Sequence, residues 1–389
     1  MGRSRPFWRR HPRIAAILFG LLALEAADLG GGALYRLVTG DGFYYAVVDP
    51  ERALNRRYRT ASSLYHHDLA PNVDMVASWG ADYPITTNSL GFKDRMVREV
   101  PLASEGPRWL FLGDSFTEGV GVAYADTFVG RIDDAVRPRG IEVLNAGVSS
   151  YSPAIYYRKA RYLLEELGLQ VSDVIVFLDI SDAEDEATQY ILDADGNVAS
   201  RKRESTGLRE FFRQNSILYA VPRFVKLRRE RARGAERASN PLNASIDNPR
   251  AQWTVDDDAF RRYGERGLAG MRENMDRLAE LVRKHGATLT VAVYPWPTQI
   301  ARKDLDSRQV RFWRDWAREQ GARFVDLFPG FVSDDDARNE RTIRELYIPD
   351  DFHWNAAGHR RVAELFLSQR AASSPPDAAA PDGGVRAAQ

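Results

Sequence analysis

The chain contains no cysteine. That excludes disulfide frameworks, thiolate nucleophiles and cysteine-ligated zinc, without fixing the compartment. Neither charge sign is in excess: 54 lysines and arginines face 54 aspartates and glutamates. The balance therefore gives no support to a nucleic-acid partner. Histidine is scarce, six in 389 residues, which leaves few candidates for a general base. There is no internal repeat, and no uninterrupted apolar run of the roughly 20 residues that a full membrane span needs. What is present is a globular balance, 44% hydrophobic and 28% charged, in a length that holds one large domain or two ordinary ones.

The N-terminus has a distinct character. Arg3, Arg5, Arg9, Arg10 and Arg13 precede an apolar run over residues 14–24, which Glu25 and Asp28 interrupt before Gly30-Gly31-Gly32 and a second apolar stretch to Val38. A basic flank before an apolar run fits a signal sequence or an anchor oriented with its positive end inside. No small-x-small cleavage site follows, which favours an uncleaved anchor over residues 1–40. The alternative is an amphipathic helix lying on the soluble domain. Residues 41–106 are rich in tyrosine, proline and turn formers, and read as an irregular, strand-containing extension with a turn at Gly91. His66 and His67 lie in it without carboxylates at metal-ligand spacing, so packing is the expected role.

From residue 107 short apolar runs alternate with helical patterns up to about residue 370. Strands are expected at 109–112, 141–145, 173–178, 288–294 and 323–327, and helices at 128–136, 154–167, 268–285, 308–320 and 356–370. The run at 173–178 is unbroken, as in a strand buried on both faces. This alternation predicts a parallel sheet in a three-layer α/β/α arrangement, with five strands and a flavodoxin-like layout. A long insertion, about 187–265, separates the third and fourth strands. It opens on a hairpin whose Asp193, Asp195 and Asn197 resemble only a fragment of a calcium loop. Two helices follow, at 208–220 and from Pro222 to 233. The second is basic through Arg223, Lys226, Arg228, Arg229, Arg231 and Arg233. It reads as a solvated face, or as a surface for anionic lipid or an acidic polymer. Residues 235–257 read as loop, and 371–389, rich in Ala, Pro, Ser and Gly, as a disordered tail.

An α/β sheet binds its ligands at the carboxyl ends of its strands. Here those ends carry Asp114 and Ser115, then Asn145 and Gly147, then Asp179, Ser181 and Asp182. Ser115 follows Gly113 on a strand-to-helix turn, which exposes a hydroxyl nucleophile beside free backbone N–H groups. A serine needs a base, and the base needs an orienting group. His353, in the loop before the last helix, has Asp350 three residues ahead. Asp351 is the competitor, ranked behind Asp350 because its spacing is shorter. His359 lies within the helix and faces elsewhere. Trp296, in Tyr294-Pro295-Trp296-Pro297, is either a platform for a sugar ring or a plug under its loop. The acidic run Asp179, Asp182, Glu184, Asp185, Glu186 reads as a solvated helix start, favoured over a metal site.

Gly113-Asp114-Ser115, Gly147, the third-strand block and Asp350-x-x-His353 together resemble the ordered blocks of SGNH/GDSL-type hydrolases, over about residues 107–370. The Asn88-Ser89-Leu90-Gly91-Phe92 stretch is similar to that of membrane-anchored bacterial members. The resemblance implies Ser115 as nucleophile, Asp350 and His353 as its triad partners, no cofactor and no metal. It also implies an oxyanion hole from the N–H groups of Ser115 and Gly147. The family's third block usually reads Gly-x-Asn-Asp. Here it is Asp179-Ile180-Ser181-Asp182, so Ser181 stands where an oxyanion-binding Asn is expected. Ser181 donates in its place, or another group such as Asn145 takes over, or the enzyme is tuned for a different acceptor. The implied function is a carboxylic-ester hydrolase on acyl groups of carbohydrate or envelope polymers. It would be held by a single-pass anchor in the bacterial inner membrane, with the catalytic domain in the periplasm or outside the cell. A carbohydrate O-acyltransferase using the same triad, and a non-catalytic carbohydrate-binding module, are the alternatives.

Overall fold

Arg108–Leu112, Glu142–Asn145, Asp173–Leu178, Thr288–Val293 and Arg323–Asp326 form strands β1 to β5. They pair in parallel in the order β5-β4-β3-β1-β2. The computed structural model describes residues 7–201, 207–237 and 246–372. The tail at 373–389 and the leader arginines Arg3 and Arg5 lie outside them. Every residue of β1 and β3 is buried, which is why these runs are apolar without alternation. The register sets Leu112 beside Val176 and Leu178 beside Val293, so β1, β3 and β4 end at nearby levels. The strand order reverses between β1 and β3, the switch point where such sheets leave a crevice.

Helices flank the sheet in two groups. Phe128–Val136 packs with Ala356–Ala372, while Pro153–Arg161, Asp182–Thr188 and Glu265–Lys284 pack with one another. Phe111, Phe128, Phe177 and Phe366 meet in the core, with the Phe128 and Phe177 ring centroids 4.3 Å apart. Truncating one of these phenylalanines to alanine costs about 3–5 kcal/mol.

The residues fall into two compact units. One comprises 1–60, 77–82 and 200–240, and the other 61–76, 83–199 and 241–389. The second holds the sheet. The middle of the expected insertion therefore groups with the N-terminal segment, and 241–265 groups with the sheet.

Several local expectations change. Pro50–Tyr58 is helical, and its many charges leave no apolar stripe to read in the sequence. The helix expected at 208–220 stops at Asn215, because the Asp28 carboxylate accepts the Ile217 and Leu218 N–H groups and holds them out of a helix. The basic helix runs Val221–Arg237, with Pro222 in its first turn. The Asp193–Asn197 loop is a hairpin turn, in which Asp193 Oδ1 accepts from the backbone of Asp195 and Asn197, each at 2.9 Å. Residues 249–254, expected as loop, wind into a short 3₁₀ helix (Pro249–Thr254) that buries Trp253, whose indole N–H donates to the Ile180 carbonyl at 2.7 Å.

Candidate active site

β1 delivers its last residue, Leu112, to Gly113 and a short helix, Ser115–Glu118. A Cβ on Gly113 would sit 2.1 Å from Thr117 Oγ1 and 3.3 Å from the Phe177 carbonyl, so only glycine fits. Asp114 caps the helix by accepting from Phe116 N at 3.0 Å. Ser115 is the helix's first residue, and its N–H has no partner within the helix. Behind the helix, the buried Lys93 ammonium donates to the Gly119 and Val122 carbonyls, each at 2.7 Å.

The base arrives from the loop between Tyr347 and Trp354, which pair across it. Asp350 adopts a φ of 61° and is exposed. Asp351 N–H donates to the Ile348 carbonyl, and Asp351 Oδ1 accepts from the backbone N–H groups of Phe352 and His353 at 2.6 and 3.0 Å. This tight turn brings the Asp351 carboxylate against the His353 ring, with Oδ1 2.6 Å from Nδ1. The carboxylate that meets the His353 ring is therefore Asp351, whereas the expected partner, Asp350, is left-handed and exposed. His353 Nε2 lies 2.7 Å from Ser115 Oγ. Since the carboxylate only accepts, Nδ1 carries the proton, and Nε2 is free to accept the serine hydroxyl's. His353 is 3% exposed and Ser115 6%.

The second strand end works as a brace. Asn145 donates to the Thr117 carbonyl at 2.8 Å and accepts from Gly147 N at 3.2 Å. It thus ties the two loops together and is not a spare oxyanion donor. A Cβ on Gly147 would fall 2.6 Å from Thr117 Cβ and 2.9 Å from Glu118 N, so glycine lets this loop lie against the Ser115 helix.

The third strand end differs most from expectation. The Ser181 hydroxyl donates to Asp179 Oδ1 at 2.5 Å, and Ser181 N–H goes to the same oxygen at 2.7 Å. The hydroxyl is thus engaged by Asp179. The other oxygen of Asp179 accepts from Tyr294 OH at 2.8 Å and Trp296 Nε1 at 2.7 Å. Trp296 is fully buried, with its ring 4.1 Å from that of Phe352 and nearly parallel to it. It is a plug and offers no face to a sugar. Asp114, at the first of the strand ends where ligands are expected, is buried and lies 3.3 Å from Tyr294 OH.

Nor is the acidic run solvated. Asp182, Asp185 and Glu186 are all buried. Glu186 accepts from Ser152 Oγ and Ala154 N, each at 2.7 Å, and so caps the helix at Pro153. Asp185 pairs with Arg250 at 2.5 Å. Burial pushes the Asp185 carboxyl up to about 6 against the pull of Arg250. Burial, then the charge of Asp179, raises Asp114 well above the carboxylate range, and burial, Asp179 and Asp114 together do the same to Asp182. Three carboxyls this close in a dry pocket cannot all ionise. Arg250 belongs to this cluster but was not assignable from sequence, because the pairing crosses 65 residues of chain. His359 accepts from Phe128 N at 3.2 Å, and its burial keeps the imidazole neutral. His67 bonds the Ser149 carbonyl at 2.8 Å. Among the described residues no cluster of three or more His, Asp or Glu side chains could hold a metal ion.

A doubly wound parallel sheet with a serine on the first strand-to-helix turn and a histidine–carboxylate pair before the last helix defines an α/β hydrolytic enzyme. The chain belongs to the GDSL-like lipase/acylhydrolase family, whose model matches residues 111–361. No curated protein matches it. Among solved structures it is similar to TesA, with 14% identity over 67% of this chain and 96% of that one and a TM-score of 0.39. A catalytic mutant of Axe2, an acetylxylan esterase from Geobacillus stearothermophilus, matches with 16% identity over 69% and 96% of the two chains and a TM-score of 0.37. The psychrotrophic esterase EstA from Pseudoalteromonas sp. matches with 13% identity over 69% and 98% and a TM-score of 0.38.

Proposed function

We propose that this enzyme is a serine-dependent carboxylic-ester hydrolase with Ser115 as nucleophile, His353 as base and Asp351 as the group that orients it. The observation that carries this reading is the continuous chain Asp351 Oδ1–His353–Ser115 Oγ, with links of 2.6 and 2.7 Å, at the carboxyl end of β1. His353 Nε2 takes the Ser115 proton as Oγ bonds to the ester carbonyl carbon. Asp351 stabilises the imidazolium that forms. The oxyanion is held by the N–H of Ser115 and by that of Gly147, which the substrate oxygen draws from its long bond to Asn145. The carbon–oxygen bond to the alcohol breaks, and His353 gives the alcohol its proton. Water then attacks the acyl-enzyme and gives up a proton to His353. The acid leaves, and the proton returns to Ser115.

Helix Pro12–Thr39 has 28 residues and an 18-residue window of mean hydropathy 1.8, and at 1.5 Å per residue it is about 42 Å long, enough to cross a bilayer. With arginines on its leading side it would leave the sheet outside the cytoplasm. There, acylated envelope or secreted carbohydrate is the ester within reach. Transfer of the acyl group to a sugar hydroxyl uses the same steps with the sugar replacing water.

Hydrolysis of a small acetyl ester, measured with and without an oligosaccharide acceptor, tests both. Ser115→Ala should abolish turnover and labelling by a serine-directed phosphonate. Retained turnover in Ser115→Ala refutes the nucleophile, and failure of the unaltered enzyme to label supports a binding module. Acyl transfer exceeding hydrolysis makes it an acyltransferase.

A further inference from the structure

Two features of the helix Pro12–Thr39 are foreign to a plain anchor: Asp28 and the triplet Gly30-Gly31-Gly32. Within the unit formed by 1–60, 77–82 and 200–240, Asp28 and Gly32 each have a counterpart in the insertion. Asp28 is 8% exposed and accepts from Ser216 Oγ at 2.5 Å, Ile217 N at 2.9 Å and Leu218 N at 2.8 Å. The carboxylate satisfies backbone donors that follow the Gly207–Asn215 helix, and they satisfy it. A Cβ on Gly32 would lie 2.1 Å from the Asn215 carbonyl oxygen, and one on Gly31 3.7 Å from Ile217 Cδ1. Gly32 therefore lets the insertion's backbone close onto the apolar helix.

The depth of this latch follows from the helix rise. If Arg13 marks the inner boundary, roughly 20 residues bring the helix to the outer boundary near Ala33. Residues 215–218 then meet the helix at the outer edge of the hydrocarbon. Around that point the insertion exposes apolar side chains: Leu208 at 64%, Phe211 at 48%, Leu218 at 46%, Val221 at 44%, Phe224 at 36% and Val225 at 40%. Val221, Phe224 and Val225 stand at i, i+3 and i+4, one face of their helix. Arg223, Lys226 and Arg229 are exposed beside that face, and the Arg228 guanidinium carbon lies 5.9 Å from the Phe224 ring centre. An apolar face flanked by cations is the pattern of a helix lying in a membrane interface. Cations so placed are attracted to anionic headgroups.

We propose that the segment 207–237 is an interfacial foot, latched by Asp28 to the spanning helix, whose apolar face enters the outer leaflet and whose arginines and lysine bind anionic phospholipid headgroups. This rests on Pro12–Thr39 being the membrane segment. It accounts for Asp28 and Gly32 in an apolar helix.

The absence of native cysteine makes any introduced cysteine a unique labelling site. The full chain is reconstituted in phosphatidylethanolamine–phosphatidylglycerol vesicles with an environment-sensitive fluorophore at Leu18→Cys, Phe224→Cys, Val225→Cys or Arg229→Cys. Labels at 18, 224 and 225 should be quenched by nitroxide on the lipid chains and protected from aqueous iodide, while the label at 229 should respond to iodide. Lipid quenching at 18 with iodide access at 224 and 225 overturns the foot and leaves the anchor standing. Iodide access at 18 removes the anchor reading and the foot with it. Replacing phosphatidylglycerol by phosphatidylcholine should weaken lipid quenching at 225, and no change refutes headgroup recognition. Protection by a soluble acidic polysaccharide and not by vesicles assigns the surface to a polymer and overturns the proposal. Asp28→Ala should open position 224 to iodide, and unchanged protection refutes the latch.

Discussion

Asp350 and Asp351 adjoin in sequence, yet the structure gives them opposite fates, and their amide variants should differ by orders of magnitude. Asp351 Oδ1 accepts the His353 Nδ1 proton at 2.6 Å together with two backbone N–H groups. In Asp351→Asn the amide oxygen can still accept all three, so the turn persists. If the amide presents its NH₂ to the ring instead, His353 is held in the wrong tautomer. In either orientation the imidazolium loses its counter-charge. A triad Asp→Asn change lowers kcat about 10⁴-fold, which at about 1.4 kcal/mol per tenfold corresponds to about 5.5 kcal/mol of barrier. Asp350 touches neither His353 nor Ser115, and asparagine tolerates its φ of 61°. Asp350→Asn should therefore keep kcat within about twofold, a change of no more than about 0.4 kcal/mol. Initial rates of acetyl-ester hydrolysis measure both, with circular dichroism melts to check the fold. A large loss in Asp350→Asn with activity kept in Asp351→Asn would refute the assignment.

Three further outcomes follow from the surrounding groups. Ser181→Ala should lower kcat far less than the roughly 10²–10³-fold expected of an oxyanion donor, because its hydroxyl is bound to Asp179; a loss in that range would return Ser181 to the oxyanion hole. Asp182 has one oxygen without a partner, and its carboxyl is raised well above the unfolded range of about 4, chiefly by burial. The folded state then holds this proton more tightly than the unfolded one, so stability from this group is greatest at low pH and falls as pH rises from about 4. Melts of Asp182→Asn from pH 4.5 to 8 should show the variant gaining on the unaltered protein as pH rises, and a constant gap would contradict a retained proton. Lys93→Met leaves two buried carbonyls without their donor, and should cost about 2–4 kcal/mol in denaturant unfolding; an unchanged midpoint would show those bonds to be dispensable.

The sheet was legible because β1, β3 and β4 are buried on both faces and therefore print as apolar runs. The meeting of Ser115 and His353 was legible because a strand-end hydroxyl and a scarce histidine sit at positions an α/β sheet brings together. The carboxylate that meets His353 lies one residue from the one expected. Spacing describes a chain without torsions, and a single left-handed residue at Asp350 decides which side chain turns inward. The Asp179 network and Arg250 were hidden for another reason. They form across the sheet from residues far apart in sequence, and the acidic run looked like solvent-facing charge until the fold buried it. Trp296 left two readings open because an aromatic residue at a strand end serves equally as a lid or a filler until its neighbours are known.

The buried Lys93 has a bearing on where this enzyme begins. Its ammonium holds the two carbonyls that follow the nucleophile's helix, and its backbone pairs with Asn145. Yet it lies 18 residues before the family match starts at Phe111. A chain trimmed to the recognisable domain would keep Ser115, Asp351 and His353 and still lose the strut beneath the Ser115 helix. The unit of chemistry and the unit of inheritance do not share a border here, and the minimal active fragment should be sought upstream of Asn88.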